Sequence, residues 1–185
     1  MAELIRGKVF RYGRDINTDY ILPGRYLMLS TAQELGPHCF EDYDPNFLKT
    51  VQPGDVIVGE ENFGGGSSRE HAPVALKANG IACVIAKSFA RIFYRNAINI
   101  GLPALEVPEA VDDFQAGDRI EVSLEHGTIT NLRSGRTFQI KPYPPEILEI
   151  ISAGGLMNLI KQKQAASAVA QQCGMPSERL LSPLG

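Results

Sequence analysis

Residues 7–12 (GKVFRY) carry the apolar–polar alternation of a first strand, and the polar run 13–19 (GRDINTD) ends it with side chains that bond their own backbone. Residues 21–24 (ILPG) then turn the chain, and 25–29 (RYLML) follow as a cation with four consecutive large apolar or aromatic residues. That run is too short for an ordinary amphipathic helix, so it reads as core or as the wall of a pocket. Residues 30–49 predict two weak helices broken at Gly36-Pro37 and Asp44-Pro45, with Pro53-Gly54 ahead of the short β-branched run 55–58 (DVIV). A helix-like stretch at 72–78 ends at Asn79-Gly80, a buried strand follows at 81–86, and Ser88 is placed to cap a helix that Gly101 and Pro103 stop. Strand, helix, strand, helix in that order predicts parallel pairing in an α/β core, because parallel strands need a crossover and a helix is the usual one. From 117 to 143 the pattern shortens to hairpin segments, with His126-Gly127 turning between 119–124 and 128–130, so a second, antiparallel β layer is expected. Pro144-Pro145 opens a helical stretch interrupted by Gly154-Gly155, and the chain from 161 reads as a peripheral helix and a loose tail. The expected organisation is one domain over 1–163, with 164–185 appended.

Composition narrows the classes. The chain has 185 residues, 44% of them hydrophobic, which is enough to bury a real core. Eighteen basic against twenty-one acidic residues leave a net charge of −3, and no basic run points to nucleic acid or an anionic membrane. No apolar run approaches the roughly 20 residues of a membrane span, and the first residues lack the basic and apolar regions of a signal peptide, so a cytoplasmic location is expected. Cys39, Cys83 and Cys173 are odd in number and far apart, which writes neither a disulfide framework nor a C-x-x-C metal site. Cys83, inside an apolar run, reads as a small buried hydrophobe. His38, His71 and His126 are equally dispersed, and no metal ligand is assigned.

The candidate chemistry lies at 59–71 (GEENFGGGSSREH). Gly64, Gly65 and Gly66 let a backbone come close to a ligand, and two hydroxyls, a guanidinium, a carboxylate and an imidazole follow within five positions. The glycines join a strand end to a helix start, where unpaired amides favour anions. A purely structural reading is a capping box from Ser67 to Glu70. With Ser67 as N-cap, however, Pro73 would fall at the sixth helical position, where its ring and missing N–H cost about 3 kcal/mol. The regular helix is therefore expected to begin at 70–72, leaving Ser67, Ser68 and Arg69 on the turn. For Ser67 to act as a base its hydroxyl needs a preorganised positive field, which turn amides, a helix N-terminus and Arg69 could supply. Arg69 could equally hold a carboxylate with its two-pronged guanidinium, or be a solvated surface residue. GGSSR is not the G-x-S-x-G elbow of a serine hydrolase, and no Gly-Lys-Ser/Thr or G-x-G-x-x-G completes a nucleotide site. A module that simply binds an anion or nucleotide is the alternative from another class.

Three runs, in this order, carry a family resemblance: DINTDYILPGRY at 15–26, GGGSSREHA at 64–72 and AKSFARIF at 86–93. Together they resemble the small subunits of 3-isopropylmalate dehydratase, in the aconitase superfamily, over about residues 5–160. The resemblance implies the swivelling β/β/α domain of aconitase as a separate chain, with a central, mainly parallel sheet, helices, and a second, antiparallel β layer. It implies a hydro-lyase active only with a large subunit that carries a [4Fe–4S] cluster, as a heterodimer or heterotetramer, while this chain binds no cofactor of its own. In the family's chemistry the cluster iron is a Lewis acid toward a small hydroxy-di- or tricarboxylate, and the serine of the Gly-Ser-Ser-Arg motif takes the carbon-bound proton. Ser67 matches that serine. Arg69 matches the carboxylate-binding arginine, Ser68 a supporting hydrogen-bond donor, and Asp19 an acidic residue at the edge of the site, with Gly64, Gly65 and Gly66 as the backbone loop that faces the anion. After Tyr26 this chain has Leu27, Met28 and Leu29, where homoaconitase-like small subunits place an arginine for an extra carboxylate. The implied reaction is interconversion of 2- and 3-isopropylmalate in leucine biosynthesis, with homoaconitase and methylmalate or dimethylmalate dehydratase small subunits as the alternatives.

Overall fold

The computed structural model describes residues 4–66 and 70–172, with 168–172 described by backbone alone. Its organising element is β1 (Leu4–Arg11), which changes partner along its length. Leu4 to Lys8 pair antiparallel with β5 (Arg119–Ser123), and Val9 to Arg11 pair parallel with β2 (Val56–Val58). Beyond β2 lie β3 (Cys83–Ala86) and β4 (Ala104–Glu106), both parallel, and beyond β5 lie β6 (Thr128–Asn131) and β7 (Thr137–Gln139), both antiparallel. Among the described residues the result is one mixed sheet in the order β4-β3-β2-β1-β5-β6-β7. The parallel part and the antiparallel layer expected from the pattern are thus continuous through β1.

Strand periodicity divides the core between the two faces of the sheet. Ile57, Val84, Ala86 and Ala104 face one apolar cluster, which contains Phe40, Phe47, Phe63 and Phe93. Their neighbours Val56, Val58, Cys83, Ile85 and Leu105 face the other, with Phe114, Ile120, Val122 and Ile129. Such central strands, buried on both sides, read as unbroken β-branched runs.

The crossover helices are α4 (His71–Ala78) and α5 (Arg91–Asn99). Glu70 is the N-cap of α4, so Pro73 sits third in the helix, where no intrahelical donor is needed. The capping-box alternative fails on this boundary, because Glu70 precedes the first turn instead of standing three residues into it. Gly80, at φ +79°, closes the helix as expected. Ser88 does not cap α5, which starts later with Ala90 as N-cap and no side-chain cap. Phe89 is held in a parallel bridge to Phe63, which delays the helix, and the Ser88 hydroxyl instead accepts from the Asn62 amide at 2.9 Å. Between β1 and β2 the chain forms α1 (Thr18–Ile21), α2 (Ala32–Leu35) and α3 (Phe47–Thr50), with 3-10 turns at Gly24–Tyr26 and Gly36–His38. A short α6 (Pro108–Val111) leads toward the hairpins. At the C-terminal side, α7 (Pro145–Ser152) and α8 (Leu156–Gln172) meet at Gly154-Gly155, and Lys163 Nζ lies 3.0 Å from Glu149 of α7. No described helix is long and apolar enough to cross a membrane.

Candidate functional site

The three sequence runs meet at the glycine turn, and backbone hydrogen bonds join them. On one side the Gly64 amide donates to the Ile16 carbonyl at 2.6 Å, the Thr18 amide donates to the Gly65 carbonyl at 2.7 Å, and Asn17 and Gly65 form a parallel bridge. On the other side the Phe63 amide donates to Ser88 at 3.0 Å and the Ala90 amide to Phe63 at 2.9 Å. Asn62, at φ +56°, joins both sides: its amide donates to Ser88 Oγ and its Nδ2 donates to Asp15 Oδ1 at 3.0 Å. The turn is therefore clamped between 16–18 and 88–90.

Glycine is required here for a specific reason. Gly64 has φ +82°, and a Cβ there would lie 2.1 Å from Cγ of Phe93. Phe93 is 1% exposed and sits with Phe63 and Phe89 at ring separations of 5.4 and 6.1 Å, an aromatic floor under the turn. Gly66, at φ +106°, faces the Thr18 hydroxyl, which a Cβ would approach to 3.2 Å. Of the three glycines expected to face an anion, Gly64 has its amide taken by the Ile16 carbonyl and Gly65 has its carbonyl taken by the Thr18 amide. Gly66 is the one outside that clamp, immediately before Ser67.

Ser67, Ser68 and Arg69 lie outside the described residues, between Gly66 and the N-cap of α4. Asp19 is exposed in the first turn of α1, one residue beyond the Thr18 amide that is bonded to the turn. Asn17 caps that short helix, its side chain accepting from the Tyr20 amide at 2.9 Å. In the run 25–29, Arg25 is not a free cation: it makes two bonds to Asp42, at 2.6 and 2.7 Å, and lies over the Tyr26 ring at 4.8 Å. The bond to Asp42, and then that to Tyr26, raise the Arg25 pKa, while Arg25 holds the Asp42 carboxyl below the usual carboxylate range. Tyr26 stacks on His38 at 3.6 Å, and both bond Glu41. Of the apolar residues that follow, Leu27 and Leu29 are half-buried and Met28 is 93% exposed. Core packing therefore does not account for Met28. His71, the first residue of α4, places Nε2 at 3.2 Å from the Leu29 carbonyl.

The sequence reading assigned no structural role to Asn62, Phe89, Phe93 or His71, although all are involved in holding this region together. Asn62 had a signal, since asparagine before a glycine run is a residue that tolerates positive φ. The aromatic floor had none, because Phe89 and Phe93 meet the turn only through the fold.

The described donor set does not fit an iron–sulfur cluster, which needs a group of thiolates. Cys39 and Cys83 belong to separate apolar clusters, both are fully buried, and burial pushes both thiols up. Cys173 lies outside the described residues, and among those described no group of three or more His, Cys, Asp and Glu is placed to hold a metal.

Comparison with known proteins adds four findings. A family model described as the aconitase C-terminal domain matches residues 38–110. The chain is 54% identical over 159 residues to the 3-isopropylmalate dehydratase small subunit of Heliobacterium modesticaldum, which covers 86% of this chain and 96% of that one. It is 55% identical over 155 residues to the 2,3-dimethylmalate dehydratase small subunit of Eubacterium barkeri, covering 84% and 95%. A crystal structure of 3-isopropylmalate dehydratase from Methanocaldococcus jannaschii superposes with a TM-score of 0.83 at 43% identity, covering 90% of this chain and 98% of that chain.

Proposed function

Since this chain belongs to the family of 3-isopropylmalate dehydratase small subunits, we propose that it is the non-cluster subunit of a cytoplasmic hydro-lyase that interconverts 2- and 3-isopropylmalate in leucine biosynthesis. It works with a large subunit that carries the [4Fe–4S] cluster, as a heterodimer or heterotetramer. The observation that carries this reading is the clamped glycine turn. Backbone bonds to 16–18 and 88–90 hold residues 63–65 in place a few positions ahead of the N-cap of α4.

In this reading Ser67 takes the proton from the substrate carbon, and Arg69 holds a carboxylate with two parallel hydrogen bonds. Ser68 donates a supporting hydrogen bond, and Asp19 borders the site. The Gly66 amide and the first amides of α4 lower the cost of negative charge beside Ser67, while Gly64 and Gly65 set the shape of the turn. Leu27, Met28 and Leu29 face the substituent on the proton-bearing carbon. Burying an isopropyl group there is worth about 1.5–3 kcal/mol, whereas an unpaired carboxylate against the same wall is penalised by more. The exposure of Met28 fits a wall that becomes complete when the large subunit covers it.

2,3-Dimethylmalate is the alternative substrate, because a dimethylmalate dehydratase small subunit is 55% identical to this chain, level with isopropylmalate relatives at 54% and 55%. An apolar wall accepts methyl as well as isopropyl groups. The test is a side-by-side measurement of kcat/KM on isopropylmalate, 2,3-dimethylmalate and homoaconitate with the native pair. Isopropylmalate is expected to lead. A preference for homoaconitate of about tenfold, or about 1.4 kcal/mol in transition-state binding, would overturn the assignment of the wall.

A further inference from the structure

We propose that His71 is a positioning residue for substrate choice, holding the 27–29 segment against the start of α4 by donating from Nε2 to the Leu29 carbonyl. The inference rests on the reading of 27–29 as the wall that meets the substrate's side group.

The hydrogen bond places a proton on Nε2. A carbonyl oxygen only accepts, so at 3.2 Å from Leu29 the Nε2 atom carries the proton, and in the neutral imidazole Nδ1 is then an acceptor. Nδ1 is buried and has no hydrogen-bond partner among the described residues. A buried acceptor without a donor is a cost that a phenylalanine of similar size would not carry. Packing alone thus gives no reason for a histidine at this position, and the Nε2–H bond to Leu29 is the use of the ring that the structure displays.

That bond reaches a segment with few other hydrogen bonds, whose Leu29 side chain also packs against the core. Among the described residues the amides of Leu27 and Leu29 donate within their own turn, to the carbonyls of Gly24 at 3.3 Å and Tyr26 at 3.1 Å. Just before the segment, Arg25 and Tyr26 are anchored to Asp42, Glu41 and His38. Just after it, Thr31 and Glu34 close a capping box on α2. Between these anchors the chain spans 27–30 with Met28 in the open, and His71 ties it to the element that begins two residues after Arg69. A displacement of the wall relative to Ser67 and Arg69 would weaken the fit of the side group and leave the chemistry itself in place.

The experiment compares His71→Gln with His71→Asn in the reconstituted pair. A glutamine amide nitrogen reaches the position of Nε2 and can donate to Leu29, whereas the asparagine amide is shorter and reaches only the position of Nδ1. The readout is the ratio of kcat/KM for isopropylmalate to that for 2,3-dimethylmalate, with Tm recorded for each variant. Asn is expected to lower the ratio about tenfold, the scale on which a hydrophobic pocket senses a methyl group, chiefly through KM for isopropylmalate, and Gln is expected to keep it near the native value. Equal ratios in the two variants, with Tm values alike, would overturn the proposal while leaving the functional reading intact. Absence of isopropylmalate turnover by the native pair would remove both together.

Discussion

Replacing Gly64 by alanine places a methyl group where the structure has a buried phenyl ring. The added Cβ would stand 2.1 Å from Cγ and 2.4 Å from Cβ of Phe93, and the backbone there is at φ +82°. The left-handed conformation costs an L-residue about 1–2 kcal/mol, and forcing extra volume into a filled core costs about 1–3 more. Phe93 has little room to yield, being 1% exposed and flanked by Phe63 and Phe89. The total is about 3 kcal/mol, which in a chain of this size lowers Tm by roughly 9 °C. Gly65→Ala is the internal control, because its Cβ would meet nothing closer than Asn62 Nδ2 at 3.4 Å and its φ is not positive. Its Tm should stay within about 2 °C of native, the range of a surface change. Thermal unfolding followed by circular dichroism, with all three proteins in one buffer, makes the comparison. Equal Tm losses for the two variants would refute the claim that the turn is shaped by Phe93 and the sign of φ at position 64.

Met28→Arg puts a cation on the exposed wall, so isopropylmalate turnover should fall and homocitrate-type tricarboxylates gain, read as kcat/KM on each. Lys77→Met removes the ammonium that donates to the carbonyls of Ile100 and Gly154 at the ends of α5 and α7; Gly154 keeps a longer bond from Asn158 Nδ2 at 3.4 Å, the loss costs about 1–3 kcal/mol, and hydrogen exchange should accelerate first in α7. Asn131→Ala should shift acid unfolding to higher pH. Its Nδ2 donates to Asp113 Oδ2 and Asp118 Oδ2, and both carboxyls sit below their ordinary range. Ser134, then Asn131 and Arg136, hold Asp113 down; burial pushes Asp118 up but is outweighed by Arg133, the Gln115 amide and Asn131. A depressed carboxylate contributes stability that is present above about 3.9, the unfolded value, and lost as pH falls through the folded one, so removing a donor narrows that window from its acid side. An unchanged acid midpoint would mean that Asn131 does not take part.

The parallel core was legible because β2 and β3 are unbroken apolar runs separated by a helix with a clear Asn79-Gly80 stop. The hairpins were legible from turn residues such as His126-Gly127, where Gly127 takes φ +65°. Their continuity with the parallel strands was not, because it depends on β1 pairing with β5 over one half and β2 over the other, which no local pattern encodes. Ser88 misled for a similar reason: its capping propensity is local, but the bridge from Phe89 to Phe63 set where α5 begins. At the site, the glycines and the three sequence runs announced themselves by residue type. Which amides a ligand could use became visible only with the Ile16 carbonyl on Gly64. The tie from His71 to Leu29 spans 42 positions and leaves no trace in the spacing of either segment.

The central claim is that this chain supplies the proton acceptor and the carboxylate clamp to a reaction it completes only with a partner. Its most direct test is steady-state turnover of isopropylmalate by the isolated chain, by the pair reconstituted with a cluster-bearing large subunit, and by the same pair carrying Ser67→Ala. The expected result is no turnover by the chain alone, turnover by the native pair, and loss of kcat in the variant with assembly and substrate affinity near native. Turnover by the isolated chain, or a Ser67→Ala pair that keeps its kcat, would contradict it.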